Sequence, residues 1–504
     1  MKRICIALSI IFALSVTLLS AAGQTEQTTD SPVIIRVADN MPGLITPGQW
    51  NGQAFSLNSS VYDYPVVLDP DTGELKGEIL SSWESEDGLR WILSIREGIV
   101  FHDGSTLDAD DLIFTLQRTQ DPSVSHVKQK EFEIMESVNK IDAYTVEVNL
   151  KEVRPGFIYQ LSDYNMAVLS RDYDYSKQGE TSPMGSGPFR VQELVNKEYA
   201  HLVAFDEYWE KGFPLSDEVH IYFVSDRETA LSMLINGQVD IVPFLTPIMK
   251  QRLDSHDDMY VVAPYTEQRF LSMRVDEPPF NDNQVRLALK HSLSPALLAR
   301  ALNLELGSQF YYSEGPVMET QSQFVKTGPR QRNPQKARNL LQQAGYPDGL
   351  TVTLTYAGDH AFNQAIAQSI QEQAKEGGFN IILKGYPRDI YFSQYWMQVP
   401  FSITTWGGRV DPAVLLSLAF DSQGVWNESH VQDPALDEII SSILTEVDAG
   451  KLNMLYRELQ EYFYDMGPLV NIQVPYLVAL DSAIKGYAQP LTMLPVYKYI
   501  KKLN

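Results

Sequence analysis

The sequence predicts an α/β protein, and three patterns predict it. The first is a strand, helix and strand in the later half of the chain. Val352, Leu354 and Tyr356 alternate with Thr351, Thr353 and Thr355, a helix spans about Ala361 to Glu376 and stops at Gly377-Gly378, and a second strand runs from Phe379 to Leu383. That order implies a right-handed parallel crossover. The second pattern is helices that carry their own end signals. Asn333-Pro334 gives an N-cap and a first-turn proline to a helix reaching about Gly345, before the turn Tyr346-Pro347-Asp348-Gly349. In Ser225-Asp226-Arg227-Glu228 the first and fourth residues read as a capping box; Ala230, Leu231, Leu234 and Ile235 follow at helical spacing, Gly237 stops the helix, and Val239 to Val242 reads as a buried strand. The third pattern is a change of texture. Before residue 262 the strands Leu89 to Arg96, Thr145 to Leu150 and Tyr199 to Phe205 have few helices between them, which predicts mixed sheet, and a helix-rich region begins after Phe280. A boundary is therefore expected near residues 262 to 272.

At 504 residues, with 44% hydrophobic, the chain is long enough for two to four domains of about 150 residues, each with its own core. Lys2 and Arg3 precede an apolar run from Ile4 to Leu19 and the small residues Ser20, Ala21, Ala22 and Gly23, the pattern of a signal peptide over residues 1–23. The alternative is an uncleaved anchor, but the run is barely long enough to span a bilayer and carries Ser9, Ser15 and Thr17. The single cysteine, Cys5, precedes the apolar run, so it is not the acylated cysteine of a lipoprotein. The expected address is the periplasm or another extracytoplasmic space, and thiolate catalysis, redox chemistry and cysteine zinc sites are excluded from the mature chain. Net charge is -24, or -26 once Lys2 and Arg3 are removed (-24 minus 2), which repels nucleic acid and anionic headgroups. Solubility alone accounts for the acidity.

Five segments carry a resemblance. They are Trp91 to Leu112, which contains Arg96-Glu97-Gly98-Ile99-Val100-Phe101-His102-Asp103-Gly104; Gly185-Ser186-Gly187-Pro188-Phe189; Asp206-Glu207-Tyr208-Trp209; Asn236-Gly237-Gln238-Val239-Asp240-Ile241; and Pro278-Pro279-Phe280 to Leu289. With Asn333 to Tyr346 as a sixth, they resemble, in order and spacing, the extracellular solute-binding proteins of family 5, the peptide- and nickel-type binding proteins of ATP-driven importers. The first segment also has a local reading as scaffold: a strand, the turn Arg96-Glu97-Gly98, and a helix N-capped near Asp108. His102 stands beside Asp103, but the other seven histidines sit at no ligand spacing with it, and Asp108, Asp110 and Asp111 read as favourable charges at a helix start, not as a calcium loop.

The resemblance implies a two-lobed fold of the periplasmic-binding-protein type II, cluster C, with an extra subdomain in the first lobe and a hinge of two crossing segments. Lobe I would span residues 24–265, with the extra subdomain at about 60–180; lobe II would span 266–478, and residues 479–504 would return to lobe I. A solute would be captured between the closing lobes and passed to the permease of the importer, by a monomer that needs no cofactor.

A site of that kind needs aromatic faces and a few orienting polar groups in a dry cleft. In Thr404-Thr405-Trp406-Gly407-Gly408-Arg409-Val410-Asp411-Pro412, a strand ends by delivering Trp406, two glycines admit a close approach, and Arg409 offers a planar fork for a carboxylate or phosphate. Trp406 is the candidate contact, with a core tryptophan as the alternative. Asp411 reads as the cap of the following helix before it reads as a contact. Peptide-binding members of the family place an aspartate about three residues after this tryptophan; Arg409 stands there instead. That substitution disfavours a free ammonium and favours an anionic solute, unless Arg409 pairs with Asp411 or another carboxylate. Asn427, Tyr265, Arg269 and Tyr476 are further candidates, the last three near the expected crossings, and Asn40 and Met41 follow the first strand, Val33 to Val37, on the opposite rim.

The rival class is a secreted hydrolase. The chain has no Gly-x-Ser-x-Gly elbow and no His-Glu-x-x-His helix, while a glycosidase's carboxylate pair is not recognisable among 64 acidic residues. A sensor subunit without an importer would differ only in its partner.

Overall fold

The computed structural model describes residues 31–40, 46–49, 55–70, 72–174, 182–307, 309–326, 328, 330–360, 362–407 and 410–503. The expected signal peptide, Met41, Gly408 and Arg409 lie outside the described residues.

Three sheets organise the molecule. A seven-stranded sheet has the order Met259–Val262, Val478–Asp481, Ile241–Val242, Ile34–Asp39, Glu218–Phe223, Tyr199–Ala204, Phe189–Val195. Its centre is parallel: Ile34–Asp39 pairs in parallel with Glu218–Phe223 and with Ile241–Val242. Inward residues Ile35, Val37, Leu202, Val219 and Ile221 are almost fully buried, as period-2 alternation requires. A four-stranded antiparallel sheet, Leu80–Glu84, Arg90–Ile95, Thr145–Leu150, Met135–Asp142, forms the attached subdomain, whose own core includes Leu93, Phe101, Leu112, Val146 and Phe157.

The third sheet is six-stranded: Tyr311–Ser313, Leu469–Pro475, Thr266–Met273, Phe401–Trp406, Leu350–Ala357, Phe379–Tyr386. Leu350–Ala357 and Phe379–Tyr386 pair in parallel from Leu350↔Phe379 to Ala357↔Tyr386, joined by the helix Asn363–Lys375. This is the crossover expected from the sequence. The chain passes from the seven-stranded to the six-stranded sheet between Val262 and Thr266, and back between Pro475 and Val478.

The capping chemistry is mostly where the sequence put it. Asp108 caps Ala109–Arg118 in a reciprocal box with Asp111, and the guanidinium of Arg171 gathers Asp108, Asp110 and Asp111. Asn333 accepts from Lys336 N at 2.9 Å ahead of Pro334. One cap is displaced: the helix Arg227–Ile235 starts from Asp226, whose carboxylate accepts from Thr229 N at 2.7 Å, one residue after the expected Ser225. The strand expected at Val239 to Val242 is confined to Ile241–Val242, because the buried Asp240 carboxylate is held by Arg36 and Lys502.

Candidate functional site

The strand registers bring one end of each large sheet to the crossings. Asp39 lies opposite Phe223, and Val262 opposite Val478, so the carboxyl ends of Ile34–Asp39, Glu218–Phe223, Ile241–Val242 and Met259–Val262 share one sheet end. In the six-stranded sheet Arg269 lies opposite Thr405, Thr266 opposite Pro475, and Tyr356 beside Ile403. The carboxyl ends of Phe401–Trp406, Leu469–Pro475 and Leu350–Ala357 therefore gather at the start of Thr266–Met273. Crevices outside the carboxyl ends of open α/β sheets are where such folds hold ligands.

The two crossings touch at this place. Tyr476 N–H donates to Tyr265 O at 2.9 Å, and their rings stack with centroids 4.7 Å apart at 13°. Phe244 meets Tyr476 edge-on at 5.0 Å. Behind them the Asp39 carboxylate accepts from Ser56 Oγ and, at 2.7 Å, from Asn40 N; burial pushes Asp39 up to about 6 against those bonds. Asn40 thus starts at the carboxyl end of the central strand.

Charged groups surround the stacked pair. Arg269 is fully buried, donating to Glu267 Oε2 at 2.9 Å and to Gln268 O at 3.2 Å, with His360 Nδ1 at 3.5 Å. Arg227, from the start of its helix, donates to Phe244 O at 3.3 Å. Burial lowers its pKa, Glu267, Tyr476 and Asp359 raise it, and Arg388 lowers it again. Arg388 follows the strand Phe379–Tyr386, and its backbone N–H donates to Asp359 Oδ2 at 3.2 Å. An aromatic pair framed by cations and a few carboxylates can orient a small zwitterionic or anionic molecule. Among the described residues no three His, Cys, Asp or Glu are grouped to hold a metal ion.

The loops after Trp406 are held by a carboxylate the sequence did not single out. Trp406 is 5% exposed and packs on Phe270 and Trp426. Its indole N–H donates to Glu428 Oε1 at 3.0 Å, and the same carboxylate accepts from Trp396 Nε1 at 3.1 Å, Thr404 Oγ1 at 2.6 Å and Ser272 Oγ at 3.0 Å. Burial raises the pKa of Glu428 and the four donors oppose it. Asn427 spans its own loop, donating to Val431 O at 2.7 Å and Asp421 O at 3.2 Å while accepting from Val431 N at 3.1 Å.

Asp411 caps Pro412–Ala419, accepting from Ala413 N at 2.9 Å. It also presses on the first lobe: a Cβ added to Gly156 would stand 2.3 Å from Asp411 Oδ2. Burial raises Asp411 to about 6, opposed by the Ala413 bond and Arg154. Beside this contact the lobes leave a cavity of about 440 Å³ between Lys151, Glu152 and Arg154 on one side and Ser417, Asp421 and Gly424 on the other.

Sequence reasoning named Tyr265, Arg269, Tyr476 and Asn40 at these strand ends and missed Arg227, Phe244, Glu267, Asp359, Arg388 and Glu428. One signal was available: an arginine just inside a capped helix start is electrostatically misplaced. Phe244 is marked only by its backbone, a non-glycine residue with φ 62°, a conformation that concentrates at functional sites.

The family model of the bacterial extracellular solute-binding proteins, family 5 Middle, matches residues 74–427. The glutathione-binding protein GsiB of Pectobacterium atrosepticum is 25% identical over 488 residues, covering 92% of this chain and 94% of that protein. Among solved structures, DppA from Helicobacter pylori in complex with peptide STSA is similar with a TM-score of 0.80 at 20% identity, covering 94% of this chain and 98% of that one. NikZ from Campylobacter jejuni in complex with Ni(L-His) is similar with a TM-score of 0.79 at 18% identity, covering 93% and 99%. The fold is the two-lobed type II arrangement that these structures share.

Proposed function

The chain belongs to the bacterial extracellular solute-binding proteins of family 5, which serve ATP-driven importers, and from that premise we propose that it captures a small peptide-like solute bearing a carboxylate. The observation that carries the reading is the stacked pair Tyr265 and Tyr476 at the facing strand ends, with the Arg269–Glu267 ion pair on the strand that starts there and Arg227 bonded to Phe244, whose ring meets Tyr476. The relatives supply compatible chemistry, since glutathione, a tetrapeptide and the histidine of Ni(L-His) all carry a carboxylate.

In this reading Tyr265 and Tyr476 offer apolar faces, and the Arg269–Glu267 pair presents one charge to each end of a zwitterion. Trp406 and Asn40 form walls, and Asn427 and Asp411 hold the loop and helix that bound the cleft; Met41 and Arg409, outside the described residues, are proposed as contacts on the sequence alone. Closure follows as a population shift: contacts made with both lobes favour the closed form by the difference in affinity between the two forms. The closed form is then recognised by the permease, and the solute leaves unaltered. Export by residues 1–23 to the periplasm and action as a monomer complete the proposal.

Native mass spectrometry of the protein purified without refolding tests the reading by identifying what co-purifies. A thermal-shift screen of glutathione, short peptides and Ni-histidine follows. A true ligand at about 100 times its dissociation constant adds about 2.7 kcal/mol of stability. A screen in which only neutral or cationic solutes stabilise the protein would overturn the proposal.

A further inference from the structure

Three of the segments that carry the family resemblance take no part in the cleft, and the structure brings them together. Arg96 belongs to the first, Ser186 and Pro188 to the second, and Tyr208 and Trp209 to the third. Ser186 Oγ, Tyr208 Oη and Trp209 Nε1 donate to the buried Asp63 carboxylate at 3.2, 3.2 and 3.0 Å. Beside them lies a cavity of about 280 Å³, lined by residues of the paired strands Val66–Leu68 and Leu75–Gly77 and of the segment 490–499. Small-molecule sites begin at about that size, roughly 300 Å³. Most of the wall is apolar, Leu68, Pro188, Leu494 and Tyr499 included, and none of its residues lies in the six-stranded sheet or among the cleft residues above.

The charged groups on this wall are committed to protein partners, with one clear exception. Lys498 uses its three N–H groups on Glu78 Oε1 at 2.9 Å, Glu210 Oε2 at 2.9 Å and Tyr208 Oη at 3.1 Å. The other Glu78 oxygen accepts from Tyr64 N at 2.9 Å, Asp63 has its three donors, and Asp69 accepts from Thr72 N at 3.0 Å in its own turn. Arg96 is the exception. Its Nε donates to Glu78 O at 3.2 Å, and its guanidinium lies 4.6 Å from the Trp209 ring centroid, so the plane of the group is fixed from two sides. Among the described residues no carboxylate lies within ion-pair distance of it, and its two Nη groups carry no hydrogen bond. Lys76, exposed on the neighbouring strand, adds a second cation to the wall.

We propose that this cavity is a second ligand site, separate from the cleft, for a small organic anion: an apolar or aromatic body that carries one carboxylate. The carboxylate takes the Nη edge of Arg96, whose planar fork matches it in two parallel hydrogen bonds, and the body lies against Leu68, Leu494 and Tyr499. The apolar wall disfavours strongly hydrated ions such as inorganic phosphate, and the fork distinguishes the acid from a neutral molecule of the same shape. An occupant there joins the Val66–Gly77 hairpin to the C-terminal segment without touching the residues that would hold a solute in the cleft.

The test titrates the full chain with phenylacetate, with its isosteric amide phenylacetamide and with inorganic phosphate, read by ligand-observed NMR. Wild type binds phenylacetate in the millimolar range, the amide roughly tenfold more weakly, and phosphate more weakly still. Arg96→Gln lowers the affinity for phenylacetate about tenfold or more and leaves that for the amide nearly unchanged, while Arg96→Lys recovers part of the loss. Val67→Trp, which fills the cavity from the strand Val66–Leu68 and leaves Arg96 in place, abolishes binding of both organic probes. No binding of phenylacetate at millimolar concentration overturns the proposal, as does equal binding of acid and amide. Equal losses of both probes in Arg96→Gln would make Arg96 a structural residue and overturn it too. Phenylacetate that binds undiminished in Val67→Trp occupies another place, the cleft included, and refutes this site while leaving the function proposed above standing. Should Arg96→Gln fail to fold, the comparison of acid with amide and the Val67→Trp titration decide the matter.

Discussion

Lowering the pH from 7 to 5 should shift the free protein toward its closed form, and Asp411 supplies the reason. In the structure its carboxylate is buried against Gly156, with Arg154, Tyr159 and Tyr456 around it, and burial raises its pKa from 3.8 to about 6. When the lobes part, the group meets water and returns toward its ordinary value. The closed form therefore binds the proton more tightly. Closure gains stability as pH falls through about 6, gains it fully below 3.8, and loses it as pH rises through 6. The full difference, about 6 minus 3.8, corresponds to roughly 3 kcal/mol, and the part traversed between pH 7 and pH 5 to about 1.3 kcal/mol, a tenfold shift in the closing equilibrium. Because the chain's one cysteine is Cys5, introduced cysteines on the two lobes can carry a fluorophore pair that reads closure directly. Asp411→Asn should abolish the pH dependence, leaving whatever Asp39 contributes. Gly156→Ala should hold the lobes apart at every pH, since its Cβ would stand 2.3 Å from Asp411 Oδ2. An undiminished shift in Asp411→Asn refutes the reasoning. So does closure that strengthens as pH rises, the behaviour of an Asp411 that binds a solute's ammonium.

Three further outcomes test the frame that positions the cleft. Glu428→Ala leaves the indole N–H groups of Trp396 and Trp406 and two hydroxyls without their acceptor, so denaturant unfolding should show a loss of about 3–5 kcal/mol. Lys498 is buried among Glu78 and Glu210, both at 2.9 Å, and its pKa stays high because those carboxylates, with Asp63 and Tyr208, outweigh burial. Lys498→Met should therefore cost about 3–5 kcal/mol by leaving buried carboxylates unpaired, measured by the same titration. Trp406→Ala should weaken solute binding by about 2 kcal/mol or more in calorimetry; unchanged affinity would remove Trp406 from the site.

The fold was legible wherever local chemistry and tertiary packing agree. The crossover from Leu350 to Tyr386 could be read because alternation, helix period and the stop at Gly377-Gly378 are all local signals. The cap at Asp226 was misplaced by one residue because Ser225 and Asp226 are both good acceptors, and only the fold decides which takes the extended conformation. Asn427 and Glu428 show the limit more sharply. Neighbours in sequence, they do different things: Asn427 closes its own loop, while Glu428 collects donors from residues 272, 396, 404 and 406, a convergence that no sequence window contains. Arg227 and Arg388 escaped for the same reason, since they lie far apart in sequence on elements of different sheets.

The two groups of residues at the cleft differ in what they control. Tyr265 and Tyr476 sit on the crossings themselves, bonded backbone to backbone at 2.9 Å, where a rotation of the lobes displaces residues least. Under the proposed function their contacts set the intrinsic affinity. Gly156 and Asp411 belong to different lobes, away from the crossings, and are packed against each other in this structure. Their contact sets how often the closed form is visited, and the observed dissociation constant is the intrinsic one divided by that fraction. Substitutions at the crossings should therefore discriminate between solutes, whereas those at Gly156 or Asp411 should scale the affinity for every solute by one common factor.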